Sequence, residues 1–181
     1  MEPVTVATPL DRAEVVASLV AAFRDDPVLR YLFPDPERYP AQAAAFFGHL
    51  FDKRVGRNTI WTVAGGAATA IWEPPGGALP VTAPALPEET SARMHAYDTA
   101  VHDALPSGPF WYLGVLGTRP GHGGRGWARA VMGAGLDRAA ADGLPAVLET
   151  SKPANVEFYR RGGWEVVATL ADPLPIWIMR H

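Results

Sequence analysis

Four glycines in six positions, Gly121-His-Gly-Gly-Arg-Gly126, join an apolar run, Phe110–Gly117, to a helix-prone stretch that starts at Gly126. A turn this poor in side chains lets the backbone visit left-handed conformations at no steric cost. It also lets successive N–H groups converge on one concavity at a helix N-terminus, where the helix dipole adds about half a positive charge. Strand, glycine turn and helix therefore predict an α/β element of the fold, with the glycines serving either a tight strand-to-helix turn alone or a place suited to a diphosphate. Arg125 and Arg129 are near enough in sequence to reach its outer oxygens. A nucleoside triphosphate loop would need Gly-Lys-Ser/Thr, which is absent. A dinucleotide fold would place its glycine turn after the first strand rather than two-thirds along the chain.

The rest of the chain reads as alternating strands and helices. Val4–Ala7 predicts a strand and Pro9–Arg24 a helix, with Asp11 as N-cap and Glu14 three residues on. Asp26-Pro27 starts a short helix, and a third is predicted from about Pro40 to Arg54. Two β-prone runs, Asn58–Ala64 and Ala67–Trp72, flank Gly65-Gly66 and predict a hairpin. Pro74–Pro87 reads as an excursion loop, followed by a helix over Glu88–Ala104 with Met94, Tyr97, Val101 and Leu105 on one face. Beyond the glycine turn come a helix to about Ala141, a strand at Pro145–Glu149, a helix at Pro153–Arg161 and strands at Trp164–Leu170 and Pro175–Met179. This is an α/β or α+β pattern without an internal repeat.

Composition narrows the function. At 181 residues, a single domain over 1–181 is expected, with 48% hydrophobic and 19% charged residues arguing against disorder. A net charge of −3 argues against a general nucleic-acid binder. The absence of cysteine excludes disulfides, thiolate metal sites and a cysteine nucleophile, and no metal site is expected. Met1-Glu2-Pro3-Val4 lacks the basic start of a signal peptide, and no run reaches eighteen uncharged apolar residues. A cytoplasmic protein without a membrane span is the expectation.

The second half carries a family resemblance. Trp111–Gly117 followed by Gly123-Gly124-Arg125-Gly126-Trp127-Ala128 resembles motif A of the GNAT superfamily of acyl-CoA-dependent N-acetyltransferases, Gln/Arg-x-x-Gly-x-Gly/Ala. Leu148-Glu149-Thr150-Ser151 and Asn155 through Tyr159 to Gly163-Trp164 resemble the next block of that family. Ile176–Arg180 and the Trp61–Trp72 stretch resemble the branch that holds puromycin N-acetyltransferase. Two positions depart from the pattern. Gly123 stands where Gln or Arg is usual, and Lys152 stands where many relatives have asparagine.

The resemblance implies an α+β, three-layer fold: a mixed, mostly antiparallel central sheet with a splayed central strand pair and flanking helices. It implies acetyl-CoA as acyl donor, gripped through Leu116, Gly117 and Thr118 along the strand, through Gly124, Arg125, Gly126, Trp127, Ala128 and Arg129 at the turn, and by Asn155. An N–H near Val115–Leu116 would polarise the thioester carbonyl. Tyr159 is the implied proton donor to the leaving thiolate, since a phenol of pKa about 10 can donate to sulfur. For the base that takes the ammonium proton, Glu149 at the end of a buried strand is preferred, with His102, Asp103, Glu73, His122 or a water chain as alternatives. The implied acceptor is a small-molecule primary amine, and the chain a monomer or homodimer. A non-catalytic acyl-CoA sensor and a protein N-terminal or lysine acetyltransferase stay open beside it.

Overall fold

The computed structural model describes residues 2–76 and 86–181. Its sheet has seven strands in the spatial order β1 (Val4–Val6), β2 (Ile60–Val63), β3 (Ala68–Glu73), β4 (Trp111–Thr118), β5 (Ala146–Thr150), β7 (Ile176–Arg180) and β6 (Glu165–Leu170). Every neighbouring pair is antiparallel except β4 and β5. One face is covered by α1 (Arg12–Ala22) and α3 (Tyr39–Arg54) over β2–β4, and by α4 (Glu88–Ala104) over β5–β7, with α2 (Pro27–Leu32) between them. The other face carries α5 (Trp127–Ala141) and α6 (Pro153–Arg160). The mixed, mostly antiparallel sheet with flanking helices is therefore the architecture expected from the sequence. The segment read as an excursion loop falls largely on 77–85, outside the described residues.

Local chemistry explains the boundaries. Asp26 caps α2, its carboxylate accepting from the amides of Val28 at 3.0 Å and Leu29 at 3.3 Å, and Pro27 supplies a preset φ at the first helical position. At the first helix Asp11 stands at the expected N-cap position of α1, but its side chain makes no cap bond to that helix. Thr8 stands at the start of a 3-10 turn, Pro9–Asp11, and the Asp11 carboxylate reaches back to the Thr8 amide at 2.7 Å and hydroxyl at 2.9 Å. Glu14 is consequently free to bind Arg119 at 2.8 Å, whose Nε also donates to Ser18 at 2.9 Å. This pins α1 to the end of β4.

Strand β4 is broken in its alternation. Ile71 faces Val115 but Trp72 faces Leu113, so Gly114 is an extra residue opposite β3. Before the bulge, Trp111 and Leu113 point into the α5 side of the core. After it, Val115 points into the α1–α3 side. A side chain at Gly117 would stand 2.6 Å from Leu19 and 2.9 Å from Phe23, so only glycine lets α1 lie this close. On the opposite face a Cβ on Gly135 would meet the buried Trp72 ring at 2.2 Å.

Candidate active site

Among the described residues the one parallel pair of the sheet is also its shortest seam. β4 and β5 pair at Trp111–Ala146 and Tyr112–Val147 and nowhere beyond. From Leu113 onward β4 keeps β3 on one side while its other edge has no strand partner. The Arg119 amide donates to the Ala67 carbonyl at 2.7 Å in the same register, which fixes the alternation of the ladder. Val115 and Gly117 therefore turn their backbone groups to β3, whereas Leu116 and Thr118 turn theirs to the open side. Of the two positions considered for an oxyanion donor, it is Leu116 whose amide is available. Gly117 offers neither amide nor side chain to the opening and serves to seat α1.

At the C-terminal end of the opening the glycine turn forms a concavity of about 440 Å³ lined by Thr118, His122 and residues 123–129 with Phe158. Gly121, Gly124 and Gly126 hold φ of 83°, 77° and 78°, a region that L side chains rarely adopt. The first helical bond runs from the Ala130 amide to the Gly126 carbonyl at 3.1 Å, so the amides of Trp127, Ala128 and Arg129 have no acceptor within the helix. A Cβ at Gly123, Gly124 or Gly126 would meet nothing within 4 Å, as a cradle open to a ligand requires. The Arg125 guanidinium lies over the Trp127 ring at 5.0 Å and that of Arg129 over Phe158 at 5.6 Å, holding two cations at the rim. Backbone donors, dipole and cations together fit a diphosphate. The loss of a side chain at Gly123 leaves this main-chain cradle intact.

The opening continues into a cleft of about 790 Å³ that Leu116, Glu149, Asn155 and Tyr159 all line. Glu149 accepts from the Tyr97 hydroxyl at 3.1 Å and, through its other oxygen, from a very short contact with the Tyr112 hydroxyl. Burial raises its pKa above the ordinary glutamate value, while the two phenols oppose the rise. Burial, then the negative charges of Glu149 and Asp26, push the Tyr159 phenol well above its ordinary pKa, so it stays protonated at neutral pH. Its ring is held edge-on to Trp164 with centroids 5.9 Å apart. Asn155 Nδ2 donates to Thr150 Oγ1 at 3.2 Å, and Lys152 lies 3.8 Å from Asp26.

The other candidate bases are placed differently. Glu73 is committed to Arg54 at 2.5 Å and Arg57 at 3.1 Å. His122 sits in the glycine turn, stacked on Trp127 at 5.8 Å. His102 lines the cleft from α4, whereas Asp103 does not. Sequence reasoning missed Tyr97 and Tyr112 as site residues. The signal available for Tyr112 was a hydroxyl within an otherwise apolar strand; Tyr97 looked like one more core aromatic on its helix face.

Residues 90–167 match the family described as an acetyltransferase (GNAT) domain. Among solved structures, the chain is similar to histone acetyltransferase HPA2 and related acetyltransferase from Corynebacterium glutamicum, at 23% identity and a TM-score of 0.73, covering 99% of this chain and 96% of that one. It is similar to a polyamine N-acetyltransferase of Drosophila melanogaster, at 15% identity and a TM-score of 0.67, over 99% and 98% of the two chains. Arylalkylamine N-acetyltransferase 2 from Aedes aegypti gives 11% identity and a TM-score of 0.69, over 99% and 97%. At these identities the likeness shows a shared fold. No helix among the described residues is long and apolar enough to cross a membrane.

Proposed function

Given an acetyltransferase (GNAT) domain at residues 90–167, we propose that this chain is an acetyl-CoA-dependent N-acetyltransferase acting on a small-molecule primary amine. In this reading residues 1–181 work as one acetyltransferase domain, in the cytoplasm, as a monomer or homodimer. The observation that carries it is the β4–β5 opening itself. One end has the orphan amides of the α5 N-terminus, the middle has the Leu116 amide, and the cleft beyond holds Glu149 and Tyr159. The donor supplies an activated acetyl thioester, and its diphosphate suits the cradle formed by Gly124–Arg129. Thr118 and Leu116 pair with the pantetheine arm as an added strand would, and Asn155 approaches it from α6.

The residues then divide the work. Glu149 takes the proton that the substrate ammonium loses, freeing the nitrogen lone pair to attack the thioester carbonyl carbon. The Leu116 amide stabilises the oxyanion that develops as the C–N bond forms. As the C–S bond breaks, the Tyr159 hydroxyl gives its proton to the departing sulfur; the second proton that the nitrogen sheds after attack passes through water to the Tyr159 phenolate, and Glu149 releases its own proton to solvent. Both substrates bind before chemistry and the amine attacks the thioester directly, as the family resemblance implies. The likeness to the branch that holds puromycin N-acetyltransferase rests on Ile176–Arg180 and the Trp61–Trp72 stretch, and it does not by itself fix the acceptor.

Two measurements test this together. Acetyl-CoA at about a hundred times its Kd should stabilise the fold by roughly 2.7 kcal/mol, read as a rise in Tm. Free-thiol release should follow when phenethylamine, agmatine or puromycin is added as acceptor. No stabilisation at high micromolar CoA would remove the cradle from the reading. Binding without thiol release across a broad amine panel would leave a sensor instead.

A further inference from the structure

Glu149 is held by two residues that have no part in the reading above. Tyr97 reaches it from α4, 52 positions away in sequence, and Tyr112 from β4, 37 positions away. The two phenols take different carboxylate oxygens, Oε1 and Oε2. Two separate anchors fix both the position and the plane of a carboxylate, which one bond would leave free to rotate. An ionised carboxylate has roughly four acceptor positions, so the clamp still leaves room for an ammonium or a water in the cleft that Glu149 lines.

The surroundings make this arrangement consequential. Tyr97 is buried on α4, and the core next to it is apolar, built from Val101, Val147 and Ile178. Burial and the neighbouring carboxylate drive both phenols well above their ordinary pKa, so both remain donors over the working range. Charged groups facing this region include Asp98 on α4, Asp26 at the start of α2 with Lys152 against it, and Arg54 on α3, which is paired with Glu73 and lies near Tyr112; His102 on α4 and His49 and Lys53 on α3 line the same cleft. Asp98 disfavours a second negative charge at Glu149. The two tyrosine hydroxyls are the side-chain donors that counter it.

We propose that Tyr97 and Tyr112 are positioning residues that orient Glu149 as an acceptor-only carboxylate and keep it ionised for proton removal from the amine. This rests on the reading of Glu149 as the base. It makes the catalytic carboxylate dependent on where α4 docks, because half of the clamp travels with that helix.

The test uses Tyr97→Phe and Tyr112→Phe separately, so that loss of fold in one leaves the other. The Glu149 carboxyl carbon is titrated by 13C NMR in the resting protein, assigned with Glu149→Gln. A hydrogen bond to a charged group is of a size to move the midpoint by about one pH unit. Each variant should therefore raise the Glu149 midpoint by about that much. The acid limb of kcat/KM, with phenethylamine and acetyl-CoA as probes, should rise with it, and turnover above the new midpoint should fall, since the one remaining bond leaves the carboxylate free to rotate. An unchanged midpoint in both variants overturns the clamp. A raised midpoint with an unmoved acid limb shows instead that Glu149 is not the base, and the proposal falls with that reading.

Discussion

Two glycines of α5, two positions apart, should respond to the same substitution with opposite signs. A Cβ built on Gly135 would stand 2.2, 2.3 and 2.7 Å from atoms of the Trp72 indole, which is fully buried between β3 and the helix. A Cβ on Gly133 would meet nothing within 4 Å, and neither residue has positive φ. Alanine in a helix interior is better than glycine by about 0.5–1 kcal/mol. At Gly133 that gain stands alone. At Gly135 it is opposed by overpacking, typically about 1–3 kcal/mol, because a rigid ring cannot rotate away and ordinary van der Waals contact needs more than an ångström of extra separation. The net expectation is a gain of up to about 1 kcal/mol for Gly133→Ala and a loss of about 1–2 kcal/mol for Gly135→Ala. For a chain of this size the loss lowers Tm by roughly 2–8 °C.

Urea unfolding monitored by tryptophan fluorescence gives both values, with unchanged m as the control for two-state behaviour. The same helix begins at Gly126, so any shift of α5 that relieves Trp72 also moves the amides of the cradle. Gly135→Ala should therefore weaken CoA binding, and Gly133→Ala should not. If both substitutions change stability in the same direction, close α5–sheet packing is not what fixes glycine at 135.

Further expectations follow from the site. Tyr159→Phe should lower kcat by about 10²–10⁴-fold with little change in KM for acetyl-CoA, measured by thiol release; equal turnover removes its role as proton donor. Gly126→Ala forces an L side chain into φ 78° at the helix start, at a cost of about 1–2 kcal/mol. Calorimetric titration should show CoA binding weakened by roughly 5–30-fold if that strain distorts the cradle, and an unchanged Kd would argue against a ligand there. Burial raises the Glu149 pKa, so kcat/KM should climb with pH through a midpoint above the ordinary glutamate range, and Glu149→Gln should abolish that limb. The same shift acts on stability. A raised folded-state pKa contributes stability below the unfolded value near 4.3, and this is lost as pH rises through the folded pKa. Glu149→Gln should remove that part of the pH dependence in denaturant midpoints.

What the sequence determined by itself is whatever depends on neighbours along the chain. The glycine turn needs positive φ at 121, 124 and 126, and no distant residue is required to predict that. Asp26-Pro27 announces its helix through a cap and a preset φ, and Gly65-Gly66 closes a hairpin by the same local logic. With the motif resemblance, this was enough for the fold class and for proposing the diphosphate end of the candidate site. The geometry on which the proposed catalytic end rests was decided only by the tertiary structure. Which carboxylate is available follows from Arg54 and Arg57 taking Glu73, and from Tyr97 and Tyr112 meeting at Glu149 across separations of 52 and 37 residues. Which amide faces the opening follows from the alternation set by the Arg119–Ala67 bond, and which core each β4 side chain enters follows from one extra residue at Gly114. Propensity and capping act over a few residues, whereas desolvation, strand register and the pairing of buried charges are fixed only when distant segments close on one another.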